Sequence, residues 1–301
     1  MDKVWQLERP AIAWGTIILF LIYLSSYSIV ITLTLSDSMP FPVATFICTF
    51  LAYMGFTILH DAGHGSIFTE GSRLKPFERI MGWIAGVPLM LVPFNLFKII
   101  HDRHHAYTND PELDPDHFIL SKSWYGVVLN CLYIPVQYHI LSITKLASDK
   151  KIRQTYLTTL IYFTFIFSSL AFFIQQGFLT ELIFLVFIPN FFAVIMLALF
   201  FDYIPHYPHK SLNRFNNSRI YPSRLLNILL LGQNYHLAHH LYPKVPWYKY
   251  RTLYLRIRSE LAEHNAPIEK VFSTREFPEQ YLENKKPIEK LLSSPKTLSL
   301  A

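Results

Sequence analysis

The sequence predicts an all-α integral membrane protein: four transmembrane helices in two hairpins, with interfacial helices and a histidine-rich cap on the cytosolic side. Three observations lead there. The 301 residues are 51% hydrophobic and only 16% charged, where a soluble domain carries roughly a quarter charged residues. Four apolar runs, 11–35, 41–59, 155–176 and 179–205, contain no Lys or Arg, and each is near or above the ~18–20 residues a helix needs to cross the hydrocarbon core. Ten of the thirteen histidines sit in four tight groups rather than being scattered.

The first run, AIAWGTIILFLIYLSSYSIVITLTL, is too long for a signal-peptide core and lacks a small-residue cleavage site, so it reads as a retained span. SDSMP at 36–40 turns the chain into the second run, and a short connector near Gln175–Thr180 joins the third to the fourth. Neither connector is basic. All 27 Lys and Arg fall at the N-terminus (2), between the second and third spans (10), or after residue 205 (15). By the positive-inside rule both termini and the long central segment are cytosolic, as in a multi-pass protein of a bacterial inner membrane. The net charge of +6 then describes a basic face beside anionic lipid and gives no reason to expect a nucleic-acid partner.

Residues 80–97, IMGWIAGVPLMLVPFNLF, are also about span length. Pro88 and Pro93 interrupt them as a helix, and a crossing here would break the charge rule, so the expectation is an interfacial or re-entrant element. Residues 126–147 and 223–231 read as further short elements lying on the bilayer. The whole of 1–269 is expected to be one membrane-embedded domain, and 270–301 a polar tail. Trp83, Trp124, Tyr242 and Trp247 suit a membrane interface or a substrate channel. Cys48 and Cys131, the only two cysteines, read as packing residues, too few for a disulfide framework or a Cys-ligated iron–sulfur cluster.

The histidine groups are His60-Asp-Ala-Gly-His64, His101-Asp-Arg-His104-His105, Asp202-Tyr-Ile-Pro-His206-Tyr-Pro-His209 and His236-Leu-Ala-His239-His240. Residues three and four apart share a helix face. His60 can therefore point with His64, His101 with His104 or His105, and His236 with His239 or His240, while His206 can close the set from the foot of the last span. All four groups fall on the cytosolic side of the topology drawn from charge alone. A single pair at this spacing is more often surface or core; two HxxHH triplets plus HxxxH on one side of the membrane point to a metal site. Eight or nine imidazoles are too many for one ion and suit two. Nitrogen ligands fit Zn, Cu, Fe or Ni, so ligand type alone does not choose. A metal transporter or sensor is the rival reading, but transporters place polar ligands near mid-membrane, where these spans are nearly free of them.

HDAGH, HDRHH and HLAHH, in this order around two membrane hairpins, resemble the three histidine boxes of the membrane fatty-acid desaturase and hydroxylase superfamily. The resemblance implies a non-haem di-iron centre with ligands His60, His64, His101, His104, His105, His236, His239 and His240, and with His206 as the further ligand after the last span. His209 is a weaker candidate for that place. Asp202 aligns with a polar residue, typically Asn, and implies a direct, water-bridged or outer role. Asp61, Asp102, Asp114 and Asp116 are expected to orient ligand imidazoles; His117, His139 and His264 are expected to be ordinary residues. The implied cofactors are two iron ions, with O2 as co-substrate and electrons from a ferredoxin or cytochrome-type donor. The implied reaction is oxidation of an unactivated C–H bond in a membrane lipid. TNDPELDPDHF (108–118) and GQNYHLAHHLYPKVPWYKY (232–250) are similar to pieces of cyanobacterial-type beta-carotene hydroxylases, so carotenoid ring hydroxylation is the expected activity and fatty acyl desaturation the alternative.

Overall fold

In the computed structural model, which describes residues 8–89 and 92–271, the described residues are helical with no strands, and two isolated bridges (Ile12 with Phe68, Ile220 with Ile268) are the only β pairing. The expected tail from 270 lies almost wholly outside the described residues. Five helices are long and apolar enough to cross a membrane: α1 (Trp14–Leu35), α2 (Phe41–His64), α5 (Trp124–Ile143), α6 (Lys150–Gln175) and α7 (Leu179–His206). Shorter helices complete the chain: α3 (Lys75–Gly86), α4 (Phe94–Tyr107), α8 (Arg224–Leu229), α9 (His236–Leu241) and α10 (Tyr250–Glu263).

The four runs read from the sequence correspond to α1, α2, α6 and α7. Helix α5 corrects the expectation of a short element at 126–147. Asn130, Gln137 and His139 break its apolar pattern, yet over 20 residues its hydropathy still suffices for a span. The segment 80–97 does break as its prolines require: α3 ends at Gly86, and Pro93 caps α4 in an extended conformation.

Helix α2 is the axis of the molecule. More than half of its apolar window is buried, against about a tenth of that of α6, and it packs on α1, α3, α4 and α7. It begins after Pro40 and stops at Gly65, whose left-handed φ of 68° suits a residue without a Cβ. The outward faces of the spans, including Leu157, Leu160, Phe165 and Phe167, are large apolar side chains open to the surroundings, as a bilayer solvent requires. Helix α7 contains two π-helical segments, Ile183–Phe187 and Ala198–Tyr203, and each is followed within two residues by a proline that lacks an amide donor, Pro189 or Pro205. Such bulges mark functional sites; the second carries Asp202 and leads into His206. Residues 215–266 form a second core around Tyr235, Leu237, Tyr250 and Leu253, which clamps α9 against α10. Helix α8, on the segment expected to lie on the bilayer, buries no residue and exposes Leu225, Ile228 and Leu229.

Candidate metal centre

Four helices bring nine imidazoles together: α2 gives His60 and His64, α4 gives His101, His104 and His105, the foot of α7 gives His206, and α9 gives His236, His239 and His240. They divide into two groups. His60, His64, His101, His105 and His239 form one, and His104, His206, His236 and His240 the other; within each, one nitrogen per ring lies within 4.8 Å of all the others. Spacing alone left open which residues of each HxxHH pair off. The structure groups those four apart, His101 with His105 and His236 with His240, and sends His104 and His239 to the opposite group. A helix advances about 100° per residue, so one triplet faces both groups at once.

The Nε2 atoms point inward. His60 and His239 approach to 3.1 Å, His64 and His101 to 3.0 Å, and His105 and His239 to 3.0 Å. In the second group His236 stands 3.1 Å from both His206 and His240. The outward nitrogens explain what these contacts mean. His206 Nδ1 donates to the Asn217 carbonyl (2.8 Å), His104 Nδ1 to Asp114 (2.9 Å) and His236 Nδ1 to the Gln233 side-chain oxygen (3.1 Å). His239 Nδ1 meets the Tyr250 hydroxyl at 2.8 Å, and His240 Nδ1 the Thr108 hydroxyl at 3.4 Å. A carbonyl and a carboxylate only accept, so the proton of His206 and of His104 sits on Nδ1. Burial pushes His101, His105, His236, His239 and His240 well below the ordinary imidazole range, which keeps these rings neutral. The inward nitrogens are then bare lone pairs about 3 Å apart. Lone pairs repel at that distance unless a cation lies between them, and nine inward imidazole nitrogens in groups of five and four fit two borderline transition-metal ions.

Around the second group the field is anionic. Burial works against a charge on His104, but Asp114 and Asp116 outweigh it and carry the ring up to about 10: the pocket favours a positive charge at Nε2, as a proton or a metal ion. His104 in turn holds the buried Asp114 below its usual range, while burial pushes Asp116 up to about 6 despite the same neighbour. Asp116 is 3.1 Å from His104 and also accepts from the Tyr138 hydroxyl at 2.5 Å. Asp202 is 8% exposed, and neither of its oxygens has a partner among the described residues.

Other residues singled out in the sequence bond elsewhere. Asp61 accepts from the Thr16 hydroxyl (2.6 Å) and the Trp247 amide (3.3 Å), fastening α1 and the Pro246 loop to α2. Asp102 pairs with Lys98. His209 is buried and donates to the Tyr203 carbonyl (3.2 Å), outside both groups. His117, His139 and His264 also lie outside both groups, with His264 stacked on Phe215. Sequence reasoning missed Gln233, Tyr250, Thr108 and Asn217. Gln233, three residues before His236 at a helix start, was the one readable by spacing.

A narrow cavity of about 90 Å³ reaches the two groups from within the helix bundle. Phe56, Leu59, Leu89, Ile134, Leu197 and Phe201 wall it, and its polar end is made of His101, His104, His236, Asp116 and Asp202. None of Trp83, Trp124, Tyr242 and Trp247 lines it.

A family model for fatty acid desaturases matches residues 36–272. The chain is 39% identical over 59 residues to the sn-1 oleoyl-lipid 12-desaturase of a Picosynechococcus species, covering 20% of this chain and 16% of that one. It is 29% identical over 102 residues to the sn-1 acyl-lipid omega-3 desaturase (ferredoxin) of a Synechocystis species, covering 32% and 27%. A second Synechocystis protein, an sn-1 oleoyl-lipid 12-desaturase, is 37% identical over 71 residues, covering 23% and 19%. The matched stretches thus span between about a sixth and a quarter of these curated relatives.

Proposed function

The chain belongs to the fatty acid desaturase family, and from that premise we propose that it is a membrane oxidoreductase that removes two hydrogens from an acyl chain of a membrane lipid. The observation that carries the reading is the convergence of nine imidazoles, three of which (His101, His104 and His236) line the polar end of an apolar cavity. Two iron ions held by His60, His64, His101, His105 and His239 and by His104, His206, His236 and His240 would supply O2 activation and hydrogen abstraction. The balance is one –CH2–CH2– unit, one O2, two electrons and two protons giving one –CH=CH– unit and two waters. The side chains do the rest. Phe56, Phe97 and Phe201 pack against one another and against His60 and His101, which excludes water where hydrogen is removed. The cavity walls fix which carbon lies beside His101, His104 and His236.

Substrate choice follows the family and the relatives. The local motifs led to an expectation of carotenoid ring hydroxylation, but the chain belongs to the fatty acid desaturase family and the relatives named above are acyl-lipid desaturases. The acyl chain is therefore the better-supported substrate. Electrons come from a ferredoxin-type donor, by analogy with the Synechocystis relative.

For topology we propose four crossings, α1, α2, α6 and α7, with the metal centre on the basic, cytosolic side. The support is parity. The segment before α5 holds Asp116 beside His104, and the first turns of α6, at Lys151 and Thr155, share a pocket with His64. Both ends of the 117–151 stretch are thus on the metal side, so α5 lies along it. Asn130 and Tyr138, two turns apart on α5, both bond to residues 116–120.

The test is mass spectrometry of lipids from a carotene-producing bacterial host expressing the chain with iron and a ferredoxin system. Acyl chains lighter by two hydrogens, absent with His104→Ala, are expected. Carotenoids heavier by one or two oxygens with acyl chains unchanged would replace this reading with ring hydroxylation.

A further inference from the structure

A second opening leads to the histidines from outside the bundle. It is a mouth of about 560 Å³ where α2 ends, α3 and α6 begin, and α4 passes. Gly63, His64 and Gly65 line it, so a residue of the five-imidazole group borders the mouth. Around the rim stand Lys75, Arg79, Lys98, Lys151 and Lys244, against two carboxylates, Glu70 and Glu78. The two carboxylates balance only part of the rim. Glu78 is 2% exposed and accepts from the amides of Ile67 and Phe68 as well as pairing with Lys75. Glu70 is shared, at 3.5–3.8 Å, among Lys75, Arg9 and Lys244. Arg79 and Lys151 are exposed and make no ion pair among the described residues. Lys98 donates to the Gly63 carbonyl at 2.7 Å and to Asp102 at 2.9 Å, tying the residue before His64 to the residue after His101.

We propose that this mouth is the electron port: an acidic one-electron carrier protein docks on the cationic rim, and its electrons enter through His64. The inference rests on the desaturase reading, which calls for two electrons per double bond formed, drawn from two carriers each oxidised by one electron. Three features select a protein of this charge over a small substrate. The rim is cationic and His64 lies among its residues, so a docked carrier lies beside a residue of the five-imidazole group. The mouth and the cavity meet α4 through different residues: Phe94, Asn95 and Lys98 line the mouth, whereas Phe97, His101 and His104 line the cavity. Electrons and lipid therefore arrive by separate routes. Finally, a rim with an excess of cations speeds encounter with an acidic partner by roughly 10–10³-fold at low salt.

The experiment uses the iron-loaded full chain in detergent with a plant-type ferredoxin as the probe, varying ferredoxin and salt. Arg79→Glu with Lys151→Glu, two residues outside the ligand set, is expected to raise the KM for ferredoxin about tenfold or more at low salt and to flatten its salt dependence. Iron content, kcat at saturating ferredoxin and the rate of iron reduction by dithionite should stay as in the parent. The milder Arg79→Gln with Lys151→Gln should move the same way by less, and it serves if charge reversal disturbs folding. An unchanged KM in both variants overturns the port. So does an unchanged KM together with weaker binding to phosphatidylglycerol vesicles than to phosphatidylcholine ones, which would make the rim a lipid-headgroup site. Failure of the desaturase reading looks different: the parent chain itself would hold no pair of irons, or would form no lipid product with any reductant, and the port would fall with it.

Discussion

Tyr250→Phe isolates one hydrogen bond at the metal centre. The Tyr250 ring is fully buried, and its hydroxyl lies 2.8 Å from His239 Nδ1, whose Nε2 faces the five-imidazole group. Removing the oxygen leaves a buried N–H without an acceptor, which costs about 1–3 kcal/mol. The ring needs its proton on Nδ1 to offer Nε2 inward, so the loss falls on metal affinity, by roughly 10–100-fold. The direct loss falls on one of the two ions, because His239 belongs to one group, and reaches the other only through the helices the two groups share. Gln233→Met is the mirror case: it removes the acceptor of His236 Nδ1, and His236 belongs to the other group. The assay is iron release against a graded series of a competing chelator. The parent should release its two ions together at high chelator; each variant should release its directly affected ion at roughly 10–100-fold lower chelator, ahead of the other. The double variant should loosen both. A double variant that still holds one ion as tightly as the parent would mean that Tyr250 and Gln233 serve the same ion, and the division into five and four imidazoles would be wrong.

Three further substitutions test the surroundings. Gly86 lines the cavity with its missing Cβ 3.3 Å from Leu59; Gly86→Leu should lower lipid conversion at least about tenfold, the scale of ~1.4 kcal/mol, while elemental analysis still finds two irons per chain. Gly232 has φ 83°, and a Cβ there would meet the Trp247 carbonyl at 2.6 Å, so Gly232→Ala should cost about 1–3 kcal/mol in denaturant unfolding, a loss that an unchanged midpoint would contradict. Burial pushes His209 down to about 4. A ring kept neutral by folding contributes its full share above its ordinary value near 6.5 and loses it as pH falls from there through 4, in all about 3 kcal/mol. Metal-free His209→Gln should therefore lose less stability than the parent between pH 7 and pH 4, and parallel pH profiles would refute the assignment.

What the sequence disclosed followed from short-range geometry. The spans were legible because each helix buries or exposes apolar side chains without a basic residue to interrupt it, and the box histidines because three- and four-residue spacing is itself a statement about a helix face. Asp61 was misread for the same reason: adjacency to His60 in the chain turns its side chain by about 100° around the helix, toward Thr16 and Trp247. The acceptors that fix the imidazole protons were mostly illegible. Asn217 serves His206 with a backbone carbonyl, and Tyr250 meets His239 only because the 215–266 core folds α10 back onto α9. Helix α5 falls on the stretch 126–147 expected as a short element on the bilayer, and its span-length hydropathy went unread. Asn130, with Tyr138, holds it beside the loop that carries Asp114 and Asp116.

The division of the two HxxHH triplets has a consequence for how the centre holds together. Helix α4 gives His101 and His105 to one group and His104 to the other, and α9 gives His239 to the first and His236 and His240 to the second. Each helix is thus fixed by both groups, whereas α2 and the foot of α7 serve one each. Helix α9 has only six residues and no side-chain cap, too short to be stable by propensity, so its position depends on the cap core and on the ions together. Metal binding to such a site is also folding free energy. Loading either ion restricts the same two helices that the other ion needs, so the first to bind prepares the site for the second. The two groups would then act as one cooperative centre rather than as two independent sites.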